Sequence, residues 1–268
     1  MSPDPRALES LVAFWADAGV DTAYVEAPVD RMAAGLAALR PRAPAPAPAV
    51  IVRPAVAAAA DAAGAVEAAR AGAAAASDLA ALEAAIAAFD GCPLKHQGAR
   101  QAVFARGDPA APVMVIGEAP GADEDAQGAP FVGKAGQLLD RMLAAAGLTG
   151  RVFITNSVFW RPPGNRTPTP AEQAACAPFL ERAIELARPR LLLLAGAAAA
   201  RSVLGRSEGV LQLRGRWFEW RSADGRLEIP ALPTLHPAFL LRQPAAKQKA
   251  WHDLLMLTER LDRPVGPT

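Results

Sequence analysis

Three apolar runs in this chain each end on a side chain able to do chemistry. Val113-Met-Val-Ile116 runs into Gly117-Glu118-Ala119-Pro120-Gly121, Val152-Phe-Ile-Thr155 stops at Asn156, and Leu232-Pro-Thr-Leu235 stops at His236-Pro237. Short apolar runs bounded by Gly, Pro and polar residues read as buried strands. In open α/β sheets, ligands bind just beyond the carboxyl ends of the strands. A carboxylate, a side-chain amide and an imidazole gathered at that edge make a candidate site, because they supply an acceptor, a paired donor and acceptor, and a neutral donor. Asp123, Glu124 and Asp125 follow closely and are the alternative carboxylates to Glu118. Three adjacent acids fit a solvated turn or a helix N-terminus better than a catalytic set, with one of them supporting the loop. A metal-dependent nucleotide hydrolase built on those acids is disfavoured, since no His/Asp constellation stands at metal-ligand spacing.

The elements needed to hold such a site are legible after about residue 89. Strands are expected over Val113 to Ile116, Val152 to Thr155, Leu191 to Leu194 and Leu232 to Leu235, with helices over Gly136 to Ala146, Pro170 to Leu186 and Ala197 to Leu204. Thr169 before Pro170 is a good N-cap with proline at the first helical position. This alternation implies βαβ units around a mainly parallel sheet. Trp217 to Leu227 reads instead as a hairpin turning at Asp224-Gly225.

Residues 1–88 read as an Ala/Pro-rich extension and 89–268 as the catalytic domain. Within the extension, Asp4 to Leu39 has helical spacing, Pro41 to Pro54 is a Pro/Ala linker, and Ser77 is expected to cap a helix from Asp78 to Phe89.

Composition narrows the class. Formal net charge is +1, so charge does not by itself announce a nucleic-acid partner, and only Lys95, Lys134, Lys247 and Lys249 of the 28 basic residues are lysine. Arginine suits bidentate phosphate contacts. Cys92 and Cys176 lie far apart without a CxxC pair, which argues against a disulfide framework. No signal peptide and no apolar run of membrane-spanning length is visible, so a cytoplasmic protein is expected.

Five segments in order carry a resemblance: GEAPGADED (Gly117 to Asp125), GAPFVGKAGQLLDRML (Gly128 to Leu143), ITN (Ile154 to Asn156), RPPGNRTPTP (Arg161 to Pro170) and LHPAFLLR (Leu235 to Arg242). From Cys92 to Leu254 the chain resembles the family 4 uracil-DNA glycosylases. The resemblance implies a three-layer α/β/α sandwich with a short, mainly parallel central sheet. It also implies hydrolysis of the N-glycosidic bond of uracil in DNA by base flipping, leaving an abasic site. Under it, Glu118 positions the attacking water and His236 donates to uracil O2. Asn156 reads O4 and N3–H, and Phe131 stacks on the base in a pocket that Gly117 and Ala119 help to form. The segment from Pro237 to Gln243 resembles one that enters the minor groove, with Leu240 or Leu241 as the wedge and Arg242 on a phosphate. Arg161, Asn165, Arg166, Lys134, Lys247 and Lys249 are candidate backbone contacts. Uracil-containing DNA is the expected partner of a monomer; a non-catalytic uracil-DNA or nucleotide binding protein is the alternative.

The chain also departs from the family. Four cysteines there hold a 4Fe–4S cluster, and the corresponding positions here are Phe89, Cys92, Trp160 and Cys176. Phenylalanine and tryptophan cannot ligate iron. The expectation is no cofactor, aromatic packing in its place, and two buried free thiols. No basic, histidine-bearing insertion lies between Arg161 and Pro170, which predicts ordinary turnover rather than covalent trapping. Ala119 and Gly121 are small where some superfamily members exclude the thymine methyl, which predicts looser base selectivity.

Overall fold

The computed structural model describes residues 55–263. The helical segment Asp4 to Leu39 and the linker Pro41 to Pro54 lie outside the described residues. Six strands form one sheet: β1 Ala105–Gly107, β2 Val113–Gly117, β3 Val152–Asn156, β4 Leu191–Ala195, β5 Phe218–Arg221 and β6 Glu228–Thr234. Their spatial order is β1-β3-β2-β4-β6-β5. The four inner strands are parallel, and β1 and β5 pair antiparallel at the two edges.

Every residue of β2, β3 and β4 is buried, which explains why these strands are apolar without alternation. Met114, Ile116, Leu192 and Leu194 face one layer, and Val113, Val115, Leu191 and Leu193 face the other. The first layer holds α1 Ala55–Ala75, α2 Leu79–Ala88, α5 Pro170–Ala187 and α6 Ala197–Leu204. The second holds α4 Lys134–Ala145 and α9 Lys247–Asp262. This is the expected α/β/α sandwich. Three short helices, α3 Ala122–Gln127, α7 Val210–Leu213 and α8 Pro237–Arg242, complete it. Leu139 and Leu143 of α4 and Leu254, Leu257 and Leu261 of α9 are buried on the sheet. At about 1.5–3 kcal/mol for each fully buried large side chain, this packing holds both helices in place.

The packed body reaches back past Phe89. Ala69 and Ala73 of α1 and Leu82 and Ile86 of α2 belong to the same core as Phe179 of α5. Small side chains allow this close approach: a Cβ on Gly72 would stand 3.5 Å from the Phe179 ring. Arg182 of α5 then ties down the end of α1, donating to the Ala76 carbonyl through Nη2 at 2.8 Å and Nε at 3.2 Å. The alanine-rich part of the expected extension is therefore core for residues 69–86, because alanine packs helices closely even though each residue buries little area. Asp78, rather than Ser77, caps α2 by accepting from the Ala81 N–H at 2.8 Å. Among the described residues no helix is long and apolar enough to cross a membrane.

Candidate functional site

The parallel register brings the strand ends to one level. Gly117 of β2 pairs with Asn156 of β3, and Ala195 of β4 pairs with Thr234 of β6. From β2 the chain crosses to β3 on one side; from β4 it continues to β6 on the other. A crevice opens at such a reversal. A cavity of about 550 Å³ occupies it, lined by Glu118, Phe131, Asn156 and His236 with Lys134 and Arg242. Ala119, Asn165 and Arg166 also contribute to its wall.

Glu118 follows β2 directly. Its backbone is fixed by Val158 N–H and Ser157 Oγ, which donate to its carbonyl at 3.0 and 2.9 Å. Burial pushes its carboxyl above the usual carboxylate range, while a hydrogen bond from Thr167 and the charge of Arg201 pull the other way. Among the described residues no backbone N–H donates to this carboxylate, so it is not the group that ties the turn. Glu124 does that instead. It accepts from Gly121 N–H at 3.0 Å and from Val132 and Gly133 N–H at 2.9 Å each. Asp125 is buried and accepts from Arg100 N–H at 2.8 Å. Glu124 and Asp125 thus support loops, and Asp123 lies in the first turn of α3.

Asn156 is 2% exposed, and among the described residues its side chain makes no hydrogen bond. Its amide is left for whatever enters the cavity. Gly117 has to be glycine for this arrangement: a Cβ there would stand 2.4 Å from Asn156 Oδ1 and 2.5 Å from Phe131 Cζ. Phe131 has a left-handed backbone, φ 56°, and its ring centroid lies 5.6 Å from that of His236 with the planes 30° apart.

His236 caps α8. Its Nδ1 accepts from the Ala238 N–H at 3.1 Å. A ring nitrogen that accepts from a backbone N–H carries no proton, so the neutral ring bears its hydrogen on Nε2. Burial first, and the charge of Arg242 second, lower its pKa to about 4 against a weak opposing pull from Glu124. Gly196 makes room beside it, since a Cβ there would come within 3.0 Å of His236 Cβ.

The candidate DNA-contacting residues divide. Arg242 lies on the cavity rim. Arg161 Nε donates to Asn165 Oδ1 at 2.8 Å, so these two order each other. Arg166 is forked onto Glu172, at 2.8 and 2.7 Å, and Glu172 also closes the capping box of α5 with Thr169. Lys247 and Lys249 are exposed in the first turn of α9, outside the cavity wall. Of the two candidate wedges, Leu240 is fully buried with Leu138, Leu235 and Ala250, while Leu241 is 42% exposed. Leu241 is the one presented to solvent, so Leu240 is corrected from a candidate wedge to a core residue. Two residues near the site were missed by sequence reasoning. Thr167 gave no signal beyond the RTPTP segment that contains it. Arg106 gave none, because it lies on an edge strand of only three residues.

Cys92 and Cys176 are buried free thiols, and burial pushes the Cys176 thiol up, with the neighbouring Cys92 acting in the same direction. Phe89 lies 6.3 Å from Trp160 and 5.1 Å from Phe179 between ring centroids, and Trp160 lies 6.3 Å from Phe159. Trp160 is 1% exposed. Two thiols surrounded by packed aromatic rings do not fit a cluster that needs four thiolates.

Comparison with known proteins agrees with this geometry. The model of the family described as the Uracil DNA glycosylase superfamily matches residues 104–255. A protein of Pyrobaculum aerophilum named type-4 uracil-DNA glycosylase is 40% identical over 197 residues, covering 71% of this chain and 99% of the relative. Proteins of the same name from Thermotoga maritima and Sulfurisphaera tokodaii are 39% and 37% identical, covering 56% and 59% of this chain and 77% and 74% of the relatives.

Proposed function

We propose that this chain, which belongs to the uracil DNA glycosylase superfamily, is a monofunctional uracil-DNA glycosylase of DNA repair. The observation that carries the reading is the gathering of Glu118, Phe131, Asn156 and His236 around one cavity at the carboxyl edge of the sheet.

The chemistry follows from these groups. A uracil nucleotide flipped from the helix enters the cavity and lies against the Phe131 ring. Asn156 donates to O4 and accepts from N3–H. Cytosine presents the opposite pair, so a fixed amide selects against it. As the C1′–N1 bond lengthens, its electron pair leaves with the base and negative charge gathers on O2. His236 Nε2–H donates to that oxygen. Because its pKa is about 4, the imidazole is neutral at physiological pH and donates without itself transferring the proton. Glu118 orients the water whose oxygen bonds to C1′ and whose proton passes to the carboxylate, and its charge opposes the developing cation on the sugar. The products are an abasic site and the uracil anion, which takes up a proton from solvent on release while Glu118 gives the water's proton back to solvent. No metal ion enters the scheme.

Leu241 is the wedge in this reading, and Lys134 and Arg242 hold phosphates beside the cavity. The protein acts as a monomer in the cytoplasm. It works without an iron–sulfur cluster, with Phe89, Trp160 and Phe179 filling that volume; iron and acid-labile sulfide at four per chain in freshly purified protein would overturn this. The small side chain of Ala119 in the cavity wall supports activity on other deaminated bases. A non-catalytic binding protein is not favoured, since the relatives are named as glycosylases and the acceptor, the amide and the imidazole all face one cavity.

The test is strand scission of a labelled oligonucleotide with a single uracil, incubated with the protein in EDTA and then treated with alkali. Cleavage is expected, and it should be lost in Glu118→Ala and His236→Ala. Uracil-DNA binding without cleavage would overturn the assignment.

A further inference from the structure

Two residues lining the cavity other than glycine have a left-handed backbone, Phe131 at φ 56° and Asn165 at φ 55°, and Phe131 is the bulky, buried one. A bulky aromatic residue holds that conformation only where its surroundings impose it, and such strain gathers at functional sites. Here the constraints can be named. Arg106 Nε donates to the Pro130 carbonyl at 2.7 Å, and its Nη2 donates to the Phe131 carbonyl at 3.1 Å and to Asp140 Oδ1 of α4 at 2.6 Å. On the other side of the Phe131–Val132 peptide, Glu124 Oε1 accepts from Val132 N–H, and it also accepts from the next N–H, of Gly133, at 2.9 Å each. Gly136 completes the enclosure: a Cβ there would stand 1.7 Å from the Phe131 oxygen, so α4 abuts that carbonyl directly.

We infer that Arg106 is a positioning residue, acting through Phe131, that sets the plane on which the target base stacks. It satisfies two carbonyls that the left-handed turn leaves without helix or sheet partners. Its guanidinium fork reaches both carbonyls and is itself anchored to α4, a geometry that one ammonium cannot reproduce. The Arg106 side chain is 27% exposed, on the edge strand β1. It therefore couples the edge of the sheet to the cavity wall, a role distinct from that of the cavity groups themselves. With the fork removed, the ring retains Glu124 and Gly136 but loses the contact that fixes the carbonyl side of its turn.

This inference rests on Phe131 being the stacking ring, and the experiment separates the two. Single-turnover uracil release is measured with enzyme in excess for the parent, Arg106→Gln, Arg106→Lys, Phe131→Ala and the Arg106→Gln/Phe131→Ala pair. All are assayed at a temperature where thermal melts show each protein folded. Arg106→Gln is expected to slow release about tenfold and to weaken inhibition by free uracil to a similar degree. Arg106→Lys should recover part of both. In the Phe131→Ala background the Arg106→Gln change should add nothing. An equal additional loss in that background would show that Arg106 acts on DNA or on the fold, and would overturn the inference. So would an Arg106→Gln rate equal to that of the parent, whatever its melting temperature. A Phe131→Ala protein as fast as the parent would instead refute the stacking reading, and the inference with it.

Discussion

The histidine in this site is built to stay neutral, and its titration provides a quantitative check. His236 accepts a backbone hydrogen bond on Nδ1 and lies in the cavity wall, where burial first and the charge of Arg242 second bring its pKa from an ordinary 6.5 to about 4. Protonation must break the bond from Ala238 and bury a charge. A histidine whose folded value is depressed stabilises the fold least when charged: its contribution is intact above about pH 6.5, is lost as the pH falls from 6.5 to about 4, and changes no further below that. At about 1.4 kcal/mol per pH unit of separation, the cost approaches about 3.5 kcal/mol below both values. His236→Asn makes a suitable reference, because asparagine caps helices well and does not titrate. Urea unfolding of both proteins from pH 8 to pH 4 should show a difference that is flat above 6.5. It should then move by about 2–3 kcal/mol against the parent as the pH approaches 4. Subtracting the two curves removes the other titrating groups. A difference that stays flat to pH 4, or a His236 ring proton that titrates near 6.5 by NMR, would refute the argument that this imidazole is a neutral donor.

Glu118 titrates in the opposite sense. Burial raises its pKa, so its ionised form burdens the fold. Glu118→Gln should be more stable than the parent at pH 7, with the gap closing in acid, and the acid limb of uracil release should lie above the ordinary carboxylate value. Gly117→Ala would place a methyl within 2.5 Å of both the Asn156 amide and the Phe131 ring. Uracil release should fall by at least about tenfold while the protein stays folded, and an unchanged rate would show that neither side chain needs its position. The two leucines of α8 should behave differently. Leu240→Ala should cost about 2–5 kcal/mol of stability because Leu240 is fully buried. Leu241→Ala should leave stability within about 0.5 kcal/mol and weaken activity on duplex more than on single-stranded substrate.

The parts of the molecule that were legible in the sequence are those where one constraint dominates. β2, β3 and β4 are buried on both faces, so their residues had to be apolar, and their ends were marked by Gly117, Asn156 and Gly196. Thr169, Pro170 and Glu172 marked the start of α5 by their capping chemistry. The hairpin at Asp224-Gly225 was equally plain, with Gly225 at φ 68°. Where two constraints compete, the signal fades. β6 runs from Glu228 to Thr234, several residues earlier than expected, because Pro230 and Pro233 interrupt its pattern and its first residue is exposed. β1 is three residues long and half exposed. In α1 the alanines that pack on α5 resemble those of a low-complexity tract, since a helix–helix contact made with small side chains has little hydrophobic contrast. Within the site, the groups at strand ends were found. Glu124 was expected only as one of three acids of which one supports the loop, and Arg106 was not found, because it acts on the backbone of residues far away in sequence and no local pattern records such a contact.

Trp160 lies four residues beyond Asn156, at the head of the segment that carries Arg161, Asn165, Arg166 and Thr167. Whatever anchors Trp160 therefore fixes where that segment starts. Here the anchor is a set of aromatic rings with two thiols beside them. The far end is fixed independently by the Glu172 carboxylate, which receives Arg166 and caps α5. If the chain holds no cluster, as proposed above, a segment held at one end by apolar packing and at the other by a half-buried ion pair depends on no redox-active group. Its position should not respond to chelators or to oxidation of iron. It should respond to loss of ring volume, for which truncation of a buried Phe or Trp to alanine costs about 3–5 kcal/mol. Asn156 itself stands on β3, paired to Gly117 across the ladder, so loosening Trp160 should displace Thr167 and Arg166 before it disturbs the Asn156 amide. The cavity wall thus has two tiers: one set by the sheet register, and one set by side-chain packing around Trp160.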